Sequence, residues 1–182
     1  MIKYLCNFQE KANEGRSITM IKQSYTFKTP IGILTMSEAD QYLTGVSFER
    51  DQSFLLAEQP GQRYRKHSDV LYEAYRQLQE YFAGNRRDFT IPIRADGTAF
   101  QKRVWGELQK IPYGETRSYA EIAAGIGNPK AVRAVGQANN RNPILIIVPC
   151  HRVIHKNGDI AGFACGDDVK RYLLGLEGRA GR

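Results

Sequence analysis

Cysteine is scarce in this chain. Of the 182 residues only Cys6, Cys150 and Cys165 are cysteine, and they stand far apart in the sequence. Disulfide-stabilised domains and structural zinc sites need more cysteines at closer spacing, so the sequence excludes a disulfide framework and predicts no metal site. Free thiols are typical of a reducing compartment, and we therefore expect a cytoplasmic protein.

Long apolar runs are also missing. No run approaches the roughly 20 residues that cross a membrane as a helix. Residues 1–20 carry charges throughout and have no apolar centre, unlike a secretory signal. The sequence thus predicts no membrane partner.

Positive charge is present, but it lies mainly in the second half. Residues 1–96 contain 13 Lys and Arg against 12 Asp and Glu, whereas residues 97–182 contain 13 against 7. The first half therefore carries a net +1 and the second half a net +6 of the total +7. Such an excess indicates a polyanionic partner, most simply nucleic acid, although a solubilising surface gives the same count.

The first half of the chain has the pattern of a small α/β domain. β-Branched and aromatic runs separated by turn signals predict an antiparallel meander of three strands: 24–28, 33–36 and 42–48. Apolar spacing from Ser68 to Phe82 predicts a helix with one buried stripe, and residues 89–93 predict a final short strand. Because no catalytic set converges here, we interpret residues 20–95 as a structural scaffold domain. Residues 1–19 are interpreted as a variable N-terminal extension.

The second half, residues 96–182, predicts a mostly helical domain. Capping boxes open two helices there: Thr98 with Gln101, and Ser118 with Glu121. Asn128 and Pro129 predict the start of a third helix, which continues to Ala138. A glycine-bearing turn joins the second and third helices, which predicts a helix-turn-helix.

A cysteine and a histidine stand together after an apolar run. Residues 144–148 are apolar and mostly β-branched, which predicts a buried strand, and Pro149 predicts a rigid turn after it. A thiol reacts as its thiolate, and His151 and Arg152 are candidate activators of Cys150, His151 directly or through a bridging water. By themselves these residues also suit a small buried cysteine without chemistry.

The motifs around this pair resemble, in order, those of the O6-alkylguanine-DNA alkyltransferases, which are suicide DNA-repair proteins. The resemblance is dense over residues 97–178 and rests on these segments: Gly97 to Gln101, Tyr113-Gly114, Gly127 to Lys130, Arg133 to Gly136, Asn142-Pro143, Pro149 to Val153, Gly162-Phe163 and Lys170 to Glu177. It implies a ribonuclease-H-like α/β first domain and a winged-helix-like second domain. It further implies double-stranded DNA containing O6-alkylguanine as the partner, with no cofactor. We expect the protein to act as a monomer.

Five residues take part in the chemistry that the resemblance implies. Cys150 accepts the alkyl group, while His151, held by Glu177, takes the thiol proton through a water. Tyr119 crowds the target phosphate and donates to guanine N3. Asn142 braces the turn that carries the cysteine.

The resemblance also assigns residues to the DNA and to the base. Arg133 fills the gap left by an extruded nucleotide, and small residues let its helix approach the minor groove: Ala131, Ala134 and Gly136. Composition alone favours packing of this helix against another helix. Four residues are expected in the base pocket: Val153, Phe163, Ala164 and Cys165. Cys165 departs from the family pattern, where glycine or a larger residue stands, and could touch the alkyl group.

These expectations give one function and two alternatives. The predicted reaction is irreversible, single-turnover transfer of the alkyl group from O6-alkylguanine to Cys150, with O4-alkylthymine left open as a second substrate. The target atom lies on the pairing edge, so the nucleotide must be flipped out of the duplex. A non-enzymatic lesion binder of the alkyltransferase-like type, which typically has tryptophan in place of the cysteine, is disfavoured by Cys150. A helix-turn-helix regulator would need base-reading side chains where this helix has small ones.

Overall fold

An antiparallel meander opens the described part of the chain, which covers residues 23–50, 68–160 and 162–179 in a computed structural model. Its strands are β1 (Gln23–Thr29), β2 (Gly32–Ala39) and β3 (Tyr42–Glu49), in the order β1-β2-β3. The meander predicted from the sequence is confirmed. The extension predicted over residues 1–19 lies outside the described residues.

Helix α1 (Asp69–Phe82) packs on this sheet. Its N-cap is Ser68, whose side chain accepts a hydrogen bond from the Leu71 N–H at 3.0 Å. Its buried apolar residues recur at helical spacing: Leu71, Ala74, Leu78 and Tyr81. The helix predicted from Ser68 to Phe82 is therefore confirmed, and burial of each large side chain contributes about 1.5–3 kcal/mol to its docking.

The strand predicted over residues 89–93 is wrong. Only Ile93 forms a bridge with Leu43 of β3. The side chain of Gln77, buried on α1, occupies a backbone donor that a ladder would use: its amide oxygen accepts from the Thr90 N–H at 3.0 Å. Its amide N–H₂ also donates to the Thr90 hydroxyl at 2.8 Å. Pro92 has no N–H to donate, so pairing stops after a single bridge.

The second part of the fold is mostly helical. Its elements are α2 (Ala99–Leu108), β4 (Arg117–Ser118), α3 (Tyr119–Gly125), α4 (Val132–Asn140), β5 (Val153–Ile154) and α5 (Asp167–Leu174). Both predicted capping boxes are present, at the starts of α2 and α3. The indole N–H of Trp105 on α2 donates to the Ala138 carbonyl of α4 at 2.8 Å, which ties the two helices together. No described helix is both long and apolar enough to cross a membrane.

Helix α4 begins later than the sequence predicts. The backbone carbonyl of the expected N-cap, Asn128, instead accepts from the Ala131 N–H at 2.9 Å, which closes a separate turn before the helix. Ala131 occupies the cap position without a side-chain hydrogen bond, and the helix starts at Val132. The helix-turn-helix remains, but the turn between α3 and α4 is longer than expected.

Candidate active site

A tight turn, not a strand, precedes the cysteine. The prediction of a strand over residues 144–148 is wrong, because Ile146 has a φ of +72° and the Ile147 N–H donates to the Leu145 carbonyl at 2.9 Å. These features define a γ-turn, a strained geometry for a β-branched residue. All five side chains of this segment are buried, and their packing holds the turn in place. A buried apolar run looks the same in sequence whether it forms a strand or a folded turn.

Pro149 forms a second tight turn, from which Cys150 emerges. Its φ of −82° and ψ of 63° match an inverse γ-turn, closed by the Cys150 N–H donating to the Val148 carbonyl at 2.8 Å. The pyrrolidine ring restricts φ and so stiffens this turn. A 3₁₀ turn, Cys150–Arg152, follows at once. The position of the thiol is therefore set by two consecutive backbone constraints.

Asn142 bonds to both the turn and the thiol. Its amide N–H₂ donates to the Val148 carbonyl at 2.7 Å and to the Cys150 sulfur at 3.2 Å. Its amide oxygen accepts from the Ile144 N–H at 3.0 Å. One side chain therefore links the start of the turn, its end and the sulfur atom.

Cys150 is buried, with 3% of the residue's surface exposed. Burial raises its pKa to about 11, although the Asn142 hydrogen bond acts in the opposite direction. The sulfur is thus protonated near pH 7 in the protein without DNA. Any reaction at this sulfur needs a base that accepts the proton.

The candidate base, His151, lies beside the buried carboxylate of Glu177. Glu177 follows α5 in a wide helical turn, Gly175–Arg179, and is surrounded by donors: His151 Nε2 at 2.8 Å, Arg152 Nε at 2.9 Å and Nη2 at 3.1 Å, the Tyr81 hydroxyl at 2.8 Å and the Gly114 N–H at 3.2 Å. Burial alone would raise the pKa of Glu177, but the hydrogen bonds and charges of His151 and Arg152 outweigh it and hold that pKa near 2. The carboxylate is therefore ionised at neutral pH.

The ionised carboxylate assigns the tautomer of His151. Burial lowers the pKa of His151 below its usual 6.5 despite the hydrogen bond with Glu177, so the ring is neutral at pH 7. A carboxylate can only accept, so His151 Nε2 carries the ring hydrogen and donates it to Glu177. The other nitrogen, Nδ1, is buried and has no hydrogen-bond partner among the described residues. The site thus contains a neutral histidine whose free nitrogen can accept a proton.

Acid should destabilise the fold in two steps. The folded-state pKa values of His151 and Glu177 both lie below their unfolded values of 6.5 and 4.5, so the unfolded chain binds more protons as the pH falls. Their stabilisation is complete above pH 6.5; the His151 part is lost first and the Glu177 part is lost from 4.5 towards 2. We expect urea midpoints to fall below pH 6.5 and His151→Gln to flatten that first step. His155→Gln, a change at an exposed histidine, should leave the first step in place.

A cavity of about 180 Å³ opens beside the sulfur. Its wall includes Cys150, Phe163, Ala164 and Cys165, together with residues of β3: Val46, Ser47 and Phe48. The structure thus brings three of the four predicted pocket residues together with the thiol. It also places a strand of the first domain in the wall, which the interpretation of that domain as a scaffold did not anticipate.

Arg50, the residue after β3, links the end of that strand to residues 165–168 beside the cavity. The guanidinium donates to the Cys165 carbonyl at 3.0 Å and pairs with Asp168 at 2.5 Å. Gly166 has a φ of +99°, and a Cβ atom at this position would lie 2.0 Å from Arg50 Nη2. The positive φ favours glycine here, whereas the exposed end of the Arg50 side chain could move away from a larger residue.

Lys170 is a buried charge that the sequence interpretation missed. Its side chain is fully buried on α5, and its ammonium donates to the Val153 carbonyl at 2.6 Å and lies 5.7 Å from the centre of the Phe163 ring. Two predicted pocket residues, Val153 and Phe163, are thus held by one cation. A signal was present in the sequence, because Lys170 stands next to Val169 and one helical turn from Leu173 and Leu174 on the buried face.

The outer face of α4 is formed by the residues expected to meet DNA. Arg133 and Ala134 are exposed, whereas Val135 and Ala138 face the core. Gly136 faces the ring of Tyr119, and a Cβ atom here would lie 3.9 Å from that ring. Of the three small residues, Ala134 is therefore exposed, whereas Ala131 and Gly136 are half-buried.

Tyr119 lies at the start of α3, between α4 and the loop after β5. Its ring centre lies 5.3 Å from that of the exposed His155. Burial, followed by the neighbouring Cys150, raises the pKa of Tyr119, so its hydroxyl stays protonated and able to donate. Tyr119 is thus placed at the border between the helix-turn-helix and the sulfur.

Comparison with known proteins agrees with this arrangement. Residues 13–95 match the model of the ribonuclease-like domain of 6-O-methylguanine DNA methyltransferase, and residues 99–179 match the model of its DNA-binding domain. A ribonuclease-like domain joined to a helix-turn-helix domain with a buried Pro-Cys-His-Arg site defines a class of cysteine-dependent DNA methyltransferases. The chain belongs to the 6-O-methylguanine DNA methyltransferase family.

Relatives of about 50% identity match this chain over nearly their whole length. The methylated-DNA–protein-cysteine methyltransferase of Methanosarcina acetivorans is 50% identical over 84% of this chain and 96% of its own, and the constitutive enzyme of Bacillus subtilis is 47% identical over 84% and 93%. The crystal structure of Mycobacterium tuberculosis O6-methylguanine methyltransferase superposes with a TM-score of 0.73 at 42% identity, covering 86% of this chain and 93% of that one. The M. tuberculosis protein in complex with DNA gives 0.72 at 45% identity, covering 85% and 91%. These matches confirm the fold class predicted from the sequence.

Proposed function

We propose that this protein repairs DNA by transferring the alkyl group of O6-alkylguanine to the sulfur of Cys150. The observation that carries the proposal is a buried thiol followed in the chain by a neutral histidine that a buried carboxylate orients. Family membership supplies the substrate class, since the relatives are named as methyltransferases of methylated DNA. We expect the protein to act in the cytoplasm. Residues 20–95 would form the first domain, and residues 96–182 the DNA-binding and acceptor domain.

Proton removal from the thiol begins the reaction. His151 Nδ1 takes the proton of Cys150 through a water molecule, and the charge that forms on the ring is stabilised by Glu177. The thiolate then attacks the alkyl carbon. A carbon–sulfur bond forms while the bond from carbon to guanine O6 breaks, and guanine leaves with that electron pair.

Two donors stabilise the departing base. The Tyr119 hydroxyl and the Ala164 N–H are proposed to donate to the guanine as negative charge develops on it. The carbonyls of Cys150 and Val153 accept from its exocyclic amine, while Phe163 packs against the ring. Because a thioether is a very poor leaving group, the alkyl group stays on Cys150 and each molecule acts once.

Base flipping brings the lesion to the sulfur. The alkylated atom lies on the pairing edge, inside the duplex, and extrusion costs a few kcal/mol. Exposed Arg133 on α4 would occupy the gap, and the small residues Ala131, Ala134 and Gly136 would let the helix enter the minor groove. Phosphate contacts from the basic second half offset part of the cost.

Mass spectrometry of the intact protein tests the proposed reaction. The protein is mixed with a duplex carrying O6-methylguanine, and its mass is compared with that after an unmodified duplex. We expect the gain of one methyl group per chain, mapped to the peptide that contains Cys150. Tight binding to the lesion duplex without a mass change would instead identify a lesion-binding protein.

Replacing the exposed arginine of α4 should slow repair of duplex DNA selectively. Arg133→Ala is expected to lower the rate of methyl transfer from duplex DNA by about 10- to 100-fold, because the variant cannot occupy the gap in the stack. Transfer from free O6-methylguanine base needs no extrusion and should be unchanged. Arg103→Ala removes an exposed arginine of α2 and is the matched control. Equal losses with both substrates would place Arg133 in the chemistry instead of in extrusion.

A further inference from the structure

A tyrosine of the first domain contacts the carboxylate that orients the histidine. Tyr81 lies near the end of α1, its side chain is fully buried, and its hydroxyl donates to Glu177 Oε1 at 2.8 Å. Oε1 is the same oxygen that accepts from His151 Nε2, also at 2.8 Å. The tyrosine and the histidine therefore share one acceptor atom.

Ordinary packing does not account for this choice of acceptor. A buried tyrosine needs a partner for its hydroxyl, and a backbone carbonyl would satisfy that need. The neighbouring Tyr113 does this: its hydroxyl donates to the Leu176 carbonyl at 3.1 Å, and its ring meets that of Tyr81 edge to face. Tyr81 instead donates to a carboxylate that already has four other donors, including the histidine.

We propose that Tyr81 is a positioning residue for the alkyl transfer, acting through Glu177 on His151. This inference rests on the proposed function of Cys150 and His151. The tyrosine hydroxyl fixes the position of Oε1 and withdraws charge from it, so that His151 Nε2 is held in one orientation with Nδ1 free. The first domain would thereby take part in the chemistry through α1, in addition to forming a wall of the cavity through β3.

Removing the hydroxyl should alter both geometry and basicity. Without this donor, more negative charge stays on Oε1, which favours the protonated form of His151 and raises its pKa. The other charged and titratable groups that face this pair are unchanged in such a variant: Arg152, Tyr113 and Lys170. A histidine that is protonated at higher pH can act as a base only at higher pH.

Single-turnover kinetics of Tyr81→Phe test this inference. We expect the rate constant for methyl transfer from an O6-methylguanine duplex to fall about tenfold near neutral pH, and the midpoint of its pH profile to move upward. Tyr113→Phe removes a hydroxyl from the same region without touching Glu177 and should match the parent in both respects. In a Glu177→Gln background, Tyr81→Phe should add no further loss, because no ionised carboxylate remains for the hydroxyl to position.

The design separates a structural role from a positioning role. In a single turnover, chains that stay unfolded throughout the assay lower the methylated fraction but leave the rate constant of the folded chains unchanged. A Tyr81→Phe variant with reduced yield and the parent rate constant and pH midpoint would overturn the inference. Failure of the parent protein to become methylated would instead overturn the proposed function.

Discussion

Replacement of Cys150 by alanine is expected to abolish methyl transfer and to leave the fold and lesion binding in place. The proposed reaction forms its new bond at this sulfur, so the rate should fall by roughly 10³-fold or more. Structural damage should be small. The sulfur takes part in one described side-chain hydrogen bond, from Asn142, and alanine suits the backbone of a 3₁₀ turn after Pro149. We expect a loss of about 1 kcal/mol in the free energy of unfolding.

Cys165→Ala is the matched control for this experiment. Cys165 lines the same cavity, and burial raises its thiol pKa to about 11, as for Cys150. It lacks a neighbouring histidine in the sequence, so the variant should still gain one methyl group from an O6-methylguanine duplex. Both variants are followed by intact mass and by titration with the lesion duplex. A third variant carries both substitutions. Methylation that survives in Cys150→Ala but not in this double variant would identify Cys165 as the acceptor.

Neutralising Glu177 should cost more stability than any other single change to a charged residue discussed above. The carboxylate is buried with Arg152, whose guanidinium also donates to the Ile111 carbonyl at 2.6 Å. Glu177→Gln leaves that guanidinium buried without a counter-charge. It also replaces one carboxylate oxygen by an amide N–H₂ group, which cannot accept the hydrogen bonds that the oxygen accepts. Breaking a buried ion pair in this way destabilises proteins by about 3–5 kcal/mol. Methyl transfer should slow as well, because His151 loses its orienting acceptor.

Urea denaturation at neutral pH measures this effect. Glu121→Gln is the matched control, because Glu121 also accepts hydrogen bonds at a helix start, but it is exposed and glutamine preserves a capping box. We expect the control to lie within about 0.5 kcal/mol of the parent. Equal stabilities for the two variants would show that the buried Glu177–Arg152 pair does not stabilise the fold.

Local patterns in the sequence predicted most elements of the fold. Thr98 with Gln101 and Ser118 with Glu121 specify helix starts because a capping box is closed by residues three positions apart. The β-branched and aromatic runs of β1 to β3 and the apolar stripe of α1 are likewise short-range patterns. Where a distant group intervened, prediction failed: Gln77 of α1 takes the polar groups of Thr90, and no strand forms there.

The order of motifs from Gly97 to Glu177 was sufficient to determine the family and to single out Cys150 and His151. Only the tertiary structure decided the surroundings of that pair. It brought Tyr81 within 2.8 Å of Glu177 across 96 positions of sequence, folded residues 144–148 into a turn, and placed β3 beside the sulfur. Contacts between distant segments depend on which surfaces become buried together, and the burial that raises one pKa and lowers another exists only once the chain has folded. The sequence therefore identified the candidate residues for the reaction, and the tertiary structure set their burial, hydrogen bonding and orientation.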